Sequence, residues 1–293
     1  MNIDMSFAMK QNPHKVNPEG IDFTCVQINS SELSWRQLQF AEFDVSEMSL
    51  SSFLIALDSD DDRYIGLPIF TTGQSFQRMI QVHKESGIDS PADLKGRKLG
   101  VPEFQQTAAV WARGILKHEF GVDQTEIEWF MERLSEHSHG GVTGLTPHDG
   151  TIVNFIPPDK SIGSMILNRE IDGTLLWFGA RNGKDMFNRT IIDLPNHPDV
   201  KYLYKFVTLS PFAPPTINHT MVIRRALAEK YPWAPMNIYK AMVEAKTMTR
   251  YGLKENGKTI ERVARYLNEQ GLTSRRLELA EIFHPSMLDN LYI

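Results

Sequence analysis

The chain contains 293 residues, enough for one large or two medium domains of about 100–200 residues each. Its hydrophobic content of 41% and charged content of 23% are typical of a globular protein, and no apolar run approaches the roughly 20 residues that span a membrane. The net charge of -5 gives no broad basic field for nucleic acid, and a single cysteine, Cys25, excludes an intramolecular disulfide and an all-cysteine metal site.

The N-terminal residues predict a strand and not a targeting segment. Residues 3–9 alternate in polarity and include Asp4, whereas a signal peptide has a basic start and an apolar core. We therefore expect a cytoplasmic protein. Later strands are predicted at residues 21–28, 63–70 (ending at Pro68) and 79–82, with a helix capped by Ser30 or Ser31 that runs to residue 40, and a helical turn at residues 90–96.

Residues 43–53 predict a short buried strand, a polar turn and the start of a helix. Glu47 falls in the predicted turn, and Ser49 and Ser51 are candidate caps for the apolar run that follows. Open α/β sheets bind anionic ligands where a helix N-terminus follows the end of a strand. An ordinary connection, in which the serines only cap the helix, is the alternative.

A second junction of this kind follows further along the chain. Residues 98–102 predict a strand that runs straight into Glu103. Residues 107–120 then carry an apolar stripe at helical spacing, which Gly121 ends.

The rest of the chain continues the alternation. Strands are predicted at residues 126–130, 153–156, 171–177 and 216–223, and helices at 161–168, 225–230, 232–247 and 259–270. Residues 202–209 fit either a strand or a helix. Residues 135–150 predict a loop, whose His137, His139 and His148 match no zinc spacing, so a solvated loop is favoured over a metal site. Alternating strands and helices without a fixed repeat predict an α/β protein with a parallel core sheet.

The order and spacing of several segments resemble the 4,5-dihydroxyphthalate decarboxylase family over nearly the whole chain. The segments are Glu19-Gly20-Ile21, residues 43–53, Leu99-Gly100-Val101-Pro102-Glu103, Thr107-Ala108-Ala109-Val110-Trp111, Gly114-Ile115-Leu116, Glu170-Ile171-Asp172, His219-Thr220-Met221-Val222-Ile223-Arg224-Arg225, Pro232-Trp233, Tyr239-Lys240-Ala241, Val243-Glu244-Ala245-Lys246, Tyr251-Gly252-Leu253 and Glu269-Gln270-Gly271-Leu272. The resemblance implies a two-lobed fold of the type 2 periplasmic-binding-protein kind with a ligand cleft between the lobes. It implies a first lobe of residues 1–98 and 210–293, and a second lobe of residues 99–209 that includes a crossing segment.

The chain departs from the family where cations are usual. After Phe70 the family usually has an arginine and then Phe-Arg-His, but residues 71–78 read Thr-Thr-Gly-Gln-Ser-Phe-Gln-Arg. A usual Gly-Asp-Tyr-Asp-Arg near the start is Ala-Met-Lys-Gln-Asn, and the tyrosine that commonly follows Glu103 is Phe104. The substrate is therefore expected to differ from a phthalate or to bind differently, with Arg78 and Lys10 as candidate replacements for the missing cations.

The resemblance implies a decarboxylase that acts on a small hydroxylated aromatic carboxylate without an added cofactor. Such a reaction needs a proton donor for the ring carbon and a poorly solvating place for the leaving carboxylate. The candidate donors or bases are Glu47, Glu103 and His219, and a glutamate in a water-poor site can stay protonated. The candidate substrate contacts are Ser49, Ser51, Arg78, Gln105, Thr107, Trp177 and Arg181.

Each assignment has a structural alternative. The two glutamates can instead satisfy backbone donors at strand ends, His219 can be a structural histidine, and Trp177 fits a core position. The chain as a whole could instead be a solute-binding protein for a small anion, or another lyase on the same fold. We expect no nucleic-acid or membrane partner, and a homo-oligomer is compatible with the sequence.

Overall fold

The computed structural model describes residues 2–71, 80–144, 147, 150–176, 187, 189–203, 216–246 and 250–288. The chain divides into two compact units. The first contains Met1–Gln74, Thr216–Asn268 and Thr273–Ile293, and the second contains Ser75–Pro215 and Glu269–Leu272.

Strands alternate with helices, as the sequence predicts. In the described ranges the strands are β1 (Ile3–Met9), β2 (Ile21–Gln27), β3 (Val45–Ser49), β4 (Tyr64–Phe70), β5 (Gln81–His83), β6 (Lys98–Val101), β7 (Glu128–Met131), β8 (Val153–Phe155), β9 (Gly173–Thr174), β10 (Val200–Tyr202), β11 (His219–Arg224) and β12 (Arg250–Tyr251). The helices are α1 (Ser30–Phe40), α2 (Leu50–Asp58), α3 (Thr107–Phe120), α4 (His139–Thr143), α5 (Ile162–Leu167), α6 (Arg225–Lys230), α7 (Ala234–Glu244), α8 (Leu253–Glu269) and α9 (Leu279–Ile282).

The sheet of the first unit has the strand order β12-β4-β11-β3-β1-β2. Strand β1 pairs in parallel with β2 and β3, whereas β11 lies between β3 and β4 and is antiparallel to both. Phe7, Val45 and Met221 point into the larger apolar cluster, and Leu33 and Phe43 belong to a smaller one on the other face. The parallel core predicted from the sequence is therefore interrupted by one antiparallel strand from late in the chain.

The sheet of the second unit has the strand order β10-β5-β9-β6-β7-β8. Strands β9, β6, β7 and β8 are parallel, β5 pairs antiparallel with β9, and β10 pairs antiparallel with β5. Trp111 of α3 and Trp129 of β7 are completely buried in this unit. The C-terminal ends of β6 and β7 lie at the same edge of the sheet because the two strands are parallel.

Several predicted elements keep their predicted bounds. Helix α3 spans the predicted residues, and it ends because Gly121 adopts a left-handed backbone with φ of 66°. Strand β1 and helix α6 also match. Helix α5 begins after the predicted cap Ser161, whose hydroxyl accepts a hydrogen bond from the backbone of Ser164.

Other predictions are wrong at their edges. The cap of α1 is Asn29 and not a serine, because the Asn29 side chain accepts from the backbone N–H of Ser31. Helix α8 begins at Leu253, six residues before the predicted start, and Asn256 Nδ2 donates to the carbonyls of Tyr251 and Gly252 just before it. The predicted loop 135–150 contains α4, which Ser138 caps.

Strand β9 is shorter than predicted, and the second unit begins before the predicted boundary. Strand β9 covers two residues of the predicted 171–177, and β10 ends where the ambiguous segment 202–209 begins. Residues 177 and 204–209 lie outside the described ranges. Strand β5 pairs with β9 and β10, so this element of the predicted first lobe belongs to the sheet of the second unit.

Strand β4 continues through Pro68, where the sequence predicted its end. The pairing of β4 with β11 shifts by two residues at this point: Met221 pairs with Leu67, but Thr220 pairs with Phe70. Proline cannot donate to a sheet ladder and is tolerated at such irregularities. Pro68 and Ile69 therefore form a bulge inside the strand.

Gly66 of β4 gives a test of close packing in the first unit. A Cβ atom there would lie 2.7 Å from the carbonyl oxygen of Ile282 and 2.9 Å from Cδ1 of Phe283. We expect Gly66→Ala to lower the free energy of unfolding by about 1–3 kcal/mol, because a backbone carbonyl must move. Urea titration of the purified variant measures this change.

Gly257→Ala in α8 is the matched control. Its Cβ would meet only the flexible end of Leu279, at 3.2 Å, and alanine is favoured over glycine in a helix by about 1 kcal/mol. We expect equal or greater stability than the unsubstituted chain. Equal losses in the two variants would contradict the packing argument.

Candidate functional site

Glu47 is a buried carboxylate in the central part of the first sheet. It lies within β3, where the sequence predicted a turn, and only 1% of its surface is exposed. Side chains alternate along a strand, so Glu47 shares the face of Val45, which packs in the larger apolar cluster. A charge on an apolar face is costly unless it is hydrogen-bonded.

Four donors surround this carboxylate, each from a different part of the first unit. Oε2 accepts from the backbone N–H of Lys10 at 3.1 Å. Oε1 accepts from Ser30 Oγ at 3.2 Å and from Thr71 Oγ1 at 2.8 Å, and it lies 2.6 Å from Nδ1 of His219. The desolvated charge is therefore compensated by local contacts.

The donors decide the protonation state of Glu47. Burial raises its pKa, but the hydrogen bond and charge of His219, with the donors of Lys10 and Thr71, lower the pKa from an ordinary 4.5 to about 2. The prediction that a glutamate here stays protonated is therefore wrong for Glu47. Its carboxylate is ionised at neutral pH and can only accept hydrogen bonds.

An ionised Glu47 fixes the tautomer of His219. Nδ1 must carry the hydrogen of the 2.6 Å contact, because an ionised carboxylate can only accept. The side chain of His219 is 21% exposed, compared with 2% for that of Glu47. We call this pair the Glu47–His219 dyad.

The strand register explains how the dyad forms. Met221 is the direct partner of Glu47, and His219 is the direct partner of Ser49. Residues two apart share a face, so Glu47 and His219 are diagonal neighbours. Two residues that the sequence singled out separately are thus brought together across 172 positions of the chain.

The predicted serines lie beside the dyad at the start of α2. Ser49 is the cap residue, but its hydroxyl contacts the hydroxyls of Ser51 and Ser52, each at 3.3 Å, and makes no side-chain hydrogen bond that caps the helix. Ser51 is completely buried, so it supports Ser49 from inside the unit.

Glu103 forms a separate buried site in the second unit. It follows β6 and accepts from Arg133 Nη1 at 3.4 Å, Ser138 Oγ at 3.3 Å and the backbone N–H of His139 at 3.0 Å. The side chains of Arg133 and Glu103 are 2% and 1% exposed. Arg133 follows β7, so the parallel pairing of β6 and β7 brings both charges to one edge.

The two other predicted residues of this junction lie close to Glu103 in the chain. Gln105 is buried and its Oε1 accepts from Thr143 Oγ1 at 3.2 Å, and Thr107 is buried at the first position of α3. Arg113 stacks on the Phe104 ring at 3.8 Å and donates to the Phe104 carbonyl, which fixes the turn.

Three predicted substrate contacts, Arg78, Trp177 and Arg181, lie outside the described residues. Sequence reasoning missed Ser30, Thr71, Arg133 and Ser138 as partners of the two glutamates. Arg133 could have been predicted as a partner of Glu103, because each follows one of two strands that the sequence predicts to be parallel. The described part of the chain contains no group of three or more His, Cys, Asp or Glu residues suited to a metal ion, and no helix there could cross a membrane.

Similarity to known proteins covers nearly the whole chain. A 4,5-dihydroxyphthalate decarboxylase from Comamonas testosteroni is 30% identical over 95% of this chain and 93% of the relative. The chain belongs to the 4,5-dihydroxyphthalate decarboxylase family. A second member, from Pseudomonas putida, is 29% identical over 65% of this chain and 70% of its own length, and a family model described as NMT1/THI5 like matches residues 60–136.

Solved structures show the fold of this family member. The periplasmic sulfonate-binding protein SsuA from Methylobacillus flagellatus KT has a TM-score of 0.58 at 14% identity, covering 98% of this chain and 92% of its own. The periplasmic aliphatic sulphonate binding protein SsuA from Escherichia coli has a TM-score of 0.53 at 11% identity, covering 99% and 95%. The predicted two-lobed fold of the periplasmic-binding-protein kind is confirmed.

The low pKa of Glu47 makes the stability of the first unit depend on pH. A carboxyl whose folded pKa lies below its unfolded value stabilises the fold above the unfolded value, and this contribution is lost as pH falls through the folded value. The interval from 4.5 to about 2 corresponds to about 3 kcal/mol. The free-energy difference between the unsubstituted chain and Glu47→Gln should be constant above pH 5 and shrink between pH 4.5 and 2, which denaturation curves at several pH values measure.

Glu136→Gln serves as the control, because Glu136 is exposed. We expect its difference from the unsubstituted chain to stay flat over the same pH range. A flat difference for Glu47→Gln as well would contradict an ionised, stabilised Glu47.

The Arg133–Glu103 pair predicts strong energetic coupling in the second unit. Arg133→Met leaves the carboxylate of Glu103 buried without its cation, which should cost about 3–5 kcal/mol. The double variant Arg133→Met/Glu103→Leu should cost less than Arg133→Met alone, because it removes both buried charges. Equilibrium unfolding of the unsubstituted chain, Arg133→Met, Glu103→Leu and the double variant gives the coupling, and additive losses would argue against a buried ion pair.

Proposed function

We propose that the protein is a carboxy-lyase that releases CO2 from a small hydroxylated aromatic carboxylic acid without an added cofactor. The observation that carries this proposal is the similarity to a 4,5-dihydroxyphthalate decarboxylase over 95% of the chain. The substrate we infer is 4,5-dihydroxyphthalate or a close analogue.

The Glu47–His219 dyad supplies the proton that this reaction consumes. Protonated His219 donates from Nε2 to the ring carbon that bears the carboxylate, and a new C–H bond forms. The ring hydroxyls donate electron density and stabilise the resulting positive ring. The C–C bond to the carboxylate then breaks, its electron pair restores the aromatic ring, CO2 leaves, and solvent returns one proton to His219.

Glu47 positions the donor in this scheme. Its ionised carboxylate accepts the Nδ1 hydrogen and so fixes the orientation of the imidazole ring. The carboxylate also stabilises the positive charge of the imidazolium before transfer. His219, which touches the reacting carbon, is the catalytic residue, and Glu47 acts through it.

The two carboxylates differ in the chemistry they allow. Glu103 is paired with the guanidinium of Arg133 at 3.4 Å, and both side chains are buried, so we assign this pair no part in proton delivery. In our proposal Glu103 holds Arg133 in place. Ser49, the cross-strand neighbour of His219, is the described hydroxyl that we assign to substrate binding.

CO2 release from a panel of hydroxylated aromatic acids, including 4,5-dihydroxyphthalate, tests the proposed function. We expect turnover by the unsubstituted protein and a loss of at least about 100-fold in kcat for His219→Gln, with the Kd for the acid within about tenfold, because general acid catalysis is typically worth 10²–10⁴-fold. Calorimetry measures the Kd independently of turnover.

His118→Gln is the matched control. Its Nε2 also lies 2.6 Å from a glutamate oxygen, that of Glu269, but the pair is on the surface of the second unit. We expect its kcat to be unchanged. Tight binding of the acids with no CO2 release by the unsubstituted protein would favour a solute-binding protein instead.

A further inference from the structure

Thr71 contacts both members of the dyad. It is 7% exposed, and its hydroxyl donates to Glu47 Oε1 at 2.8 Å. Its backbone N–H donates to the carbonyl oxygen of His219 at 3.4 Å. One residue therefore links the carboxylate to the backbone of the histidine that it orients.

The bulge at Pro68 is the reason that Thr71 occupies this place. Residues Met221 to Arg224 of β11 pair in order with Leu67 to Tyr64 of β4. If this register continued unchanged, His219 would lie opposite Ile69. After the shift of two residues, the register of Thr220 with Phe70 continues to His219 and Thr71. Bulges commonly redirect a side chain next to a functional site. Here the bulge places the hydroxyl-bearing Thr71, and not the apolar Ile69, opposite His219.

The hydroxyl meets an oxygen that is already crowded with donors. Glu47 Oε1 has contacts with Ser30, Thr71 and His219, and the two shortest are those to Thr71 and His219. Donors from fixed positions restrict rotation of the carboxylate. Hydrogen bonds to a charged group are stronger than those between neutral groups, so the loss of Thr71 would free Oε1 to turn away from Nδ1.

We propose that Thr71 is a positioning residue for proton transfer, brought to the dyad by the Pro68 bulge. This inference rests on the proposed function, in which His219 donates the proton. Thr71 acts by holding the Glu47 carboxylate in the orientation that keeps the Nδ1 hydrogen of His219 bound. It touches neither the substrate nor the reacting carbon.

Thr71→Val removes the hydroxyl and keeps the shape, and Thr71→Ser keeps the hydroxyl. We expect Thr71→Val to lower kcat about tenfold or more with KM within about threefold, and Thr71→Ser to restore most of kcat. Thr125→Val is the matched control, since the Thr125 hydroxyl also donates to a carboxylate, that of Asp123 at 2.9 Å, but on the surface. Its kcat should be unchanged.

A second measurement does not require turnover. Proton NMR of the imidazole N–H signals, with the His219 signal assigned by its loss in His219→Gln, reports the Nδ1 hydrogen directly. We expect a downfield, slowly exchanging signal in the unsubstituted chain and in Thr71→Ser, and a shifted or exchange-broadened one in Thr71→Val. If no acid on the panel is turned over, the proposed function fails while this signal still decides the role of Thr71.

Two outcomes would overturn the inference. One is an unchanged Nδ1–H signal in Thr71→Val, which would mean that the hydroxyl does not hold the dyad. The other is a Thr71→Val enzyme with the kcat of the unsubstituted protein, which would remove Thr71 from proton transfer.

Discussion

The first unit depends on the burial of one negative charge, the carboxylate of Glu47. Its donors come from the end of β1, the start of α1, the end of β4 and the start of β11. An uncompensated buried carboxylate would cost several kcal/mol, so these segments are held to a common point. The same contacts that make the charge tolerable in the fold also orient the histidine beside it.

The two buried glutamates differ in the side chain with which each is paired. Glu103 faces a guanidinium, a permanent cation whose planar group suits a fixed ion pair. Glu47 faces the imidazole of His219, a ring with two nitrogen atoms of which Nδ1 contacts the carboxylate. Burial and a nitrogen-bearing partner are common to both sites, so the identity of the partner, and not the glutamate, distinguishes the two sites.

Local signals in the sequence predicted local structure well. Helix α3 was predicted with its bounds, because its apolar stripe and its terminal glycine both lie within about four helical turns and need no information from distant residues. Glu47 and His219 were each recognised as candidates. Their contact was not, because it depends on antiparallel pairing between strands that are distant in the chain. Thr71 was missed for the same reason, since only the two-residue shift at Pro68 places it there.

The position of β11 in the first sheet has a consequence for how the protein is made. This central strand is formed by His219–Arg224, so β3 and β4 leave the ribosome long before the strand that joins them. Their facing edges remain unpaired while residues 75–215 are synthesised, and unpaired strand edges attract other chains. Closing such a sequence-distant pairing is slow, because loop entropy is lost before contacts form. A nascent chain therefore brings His219 beside Glu47 and pairs its exposed strand edges in the same step.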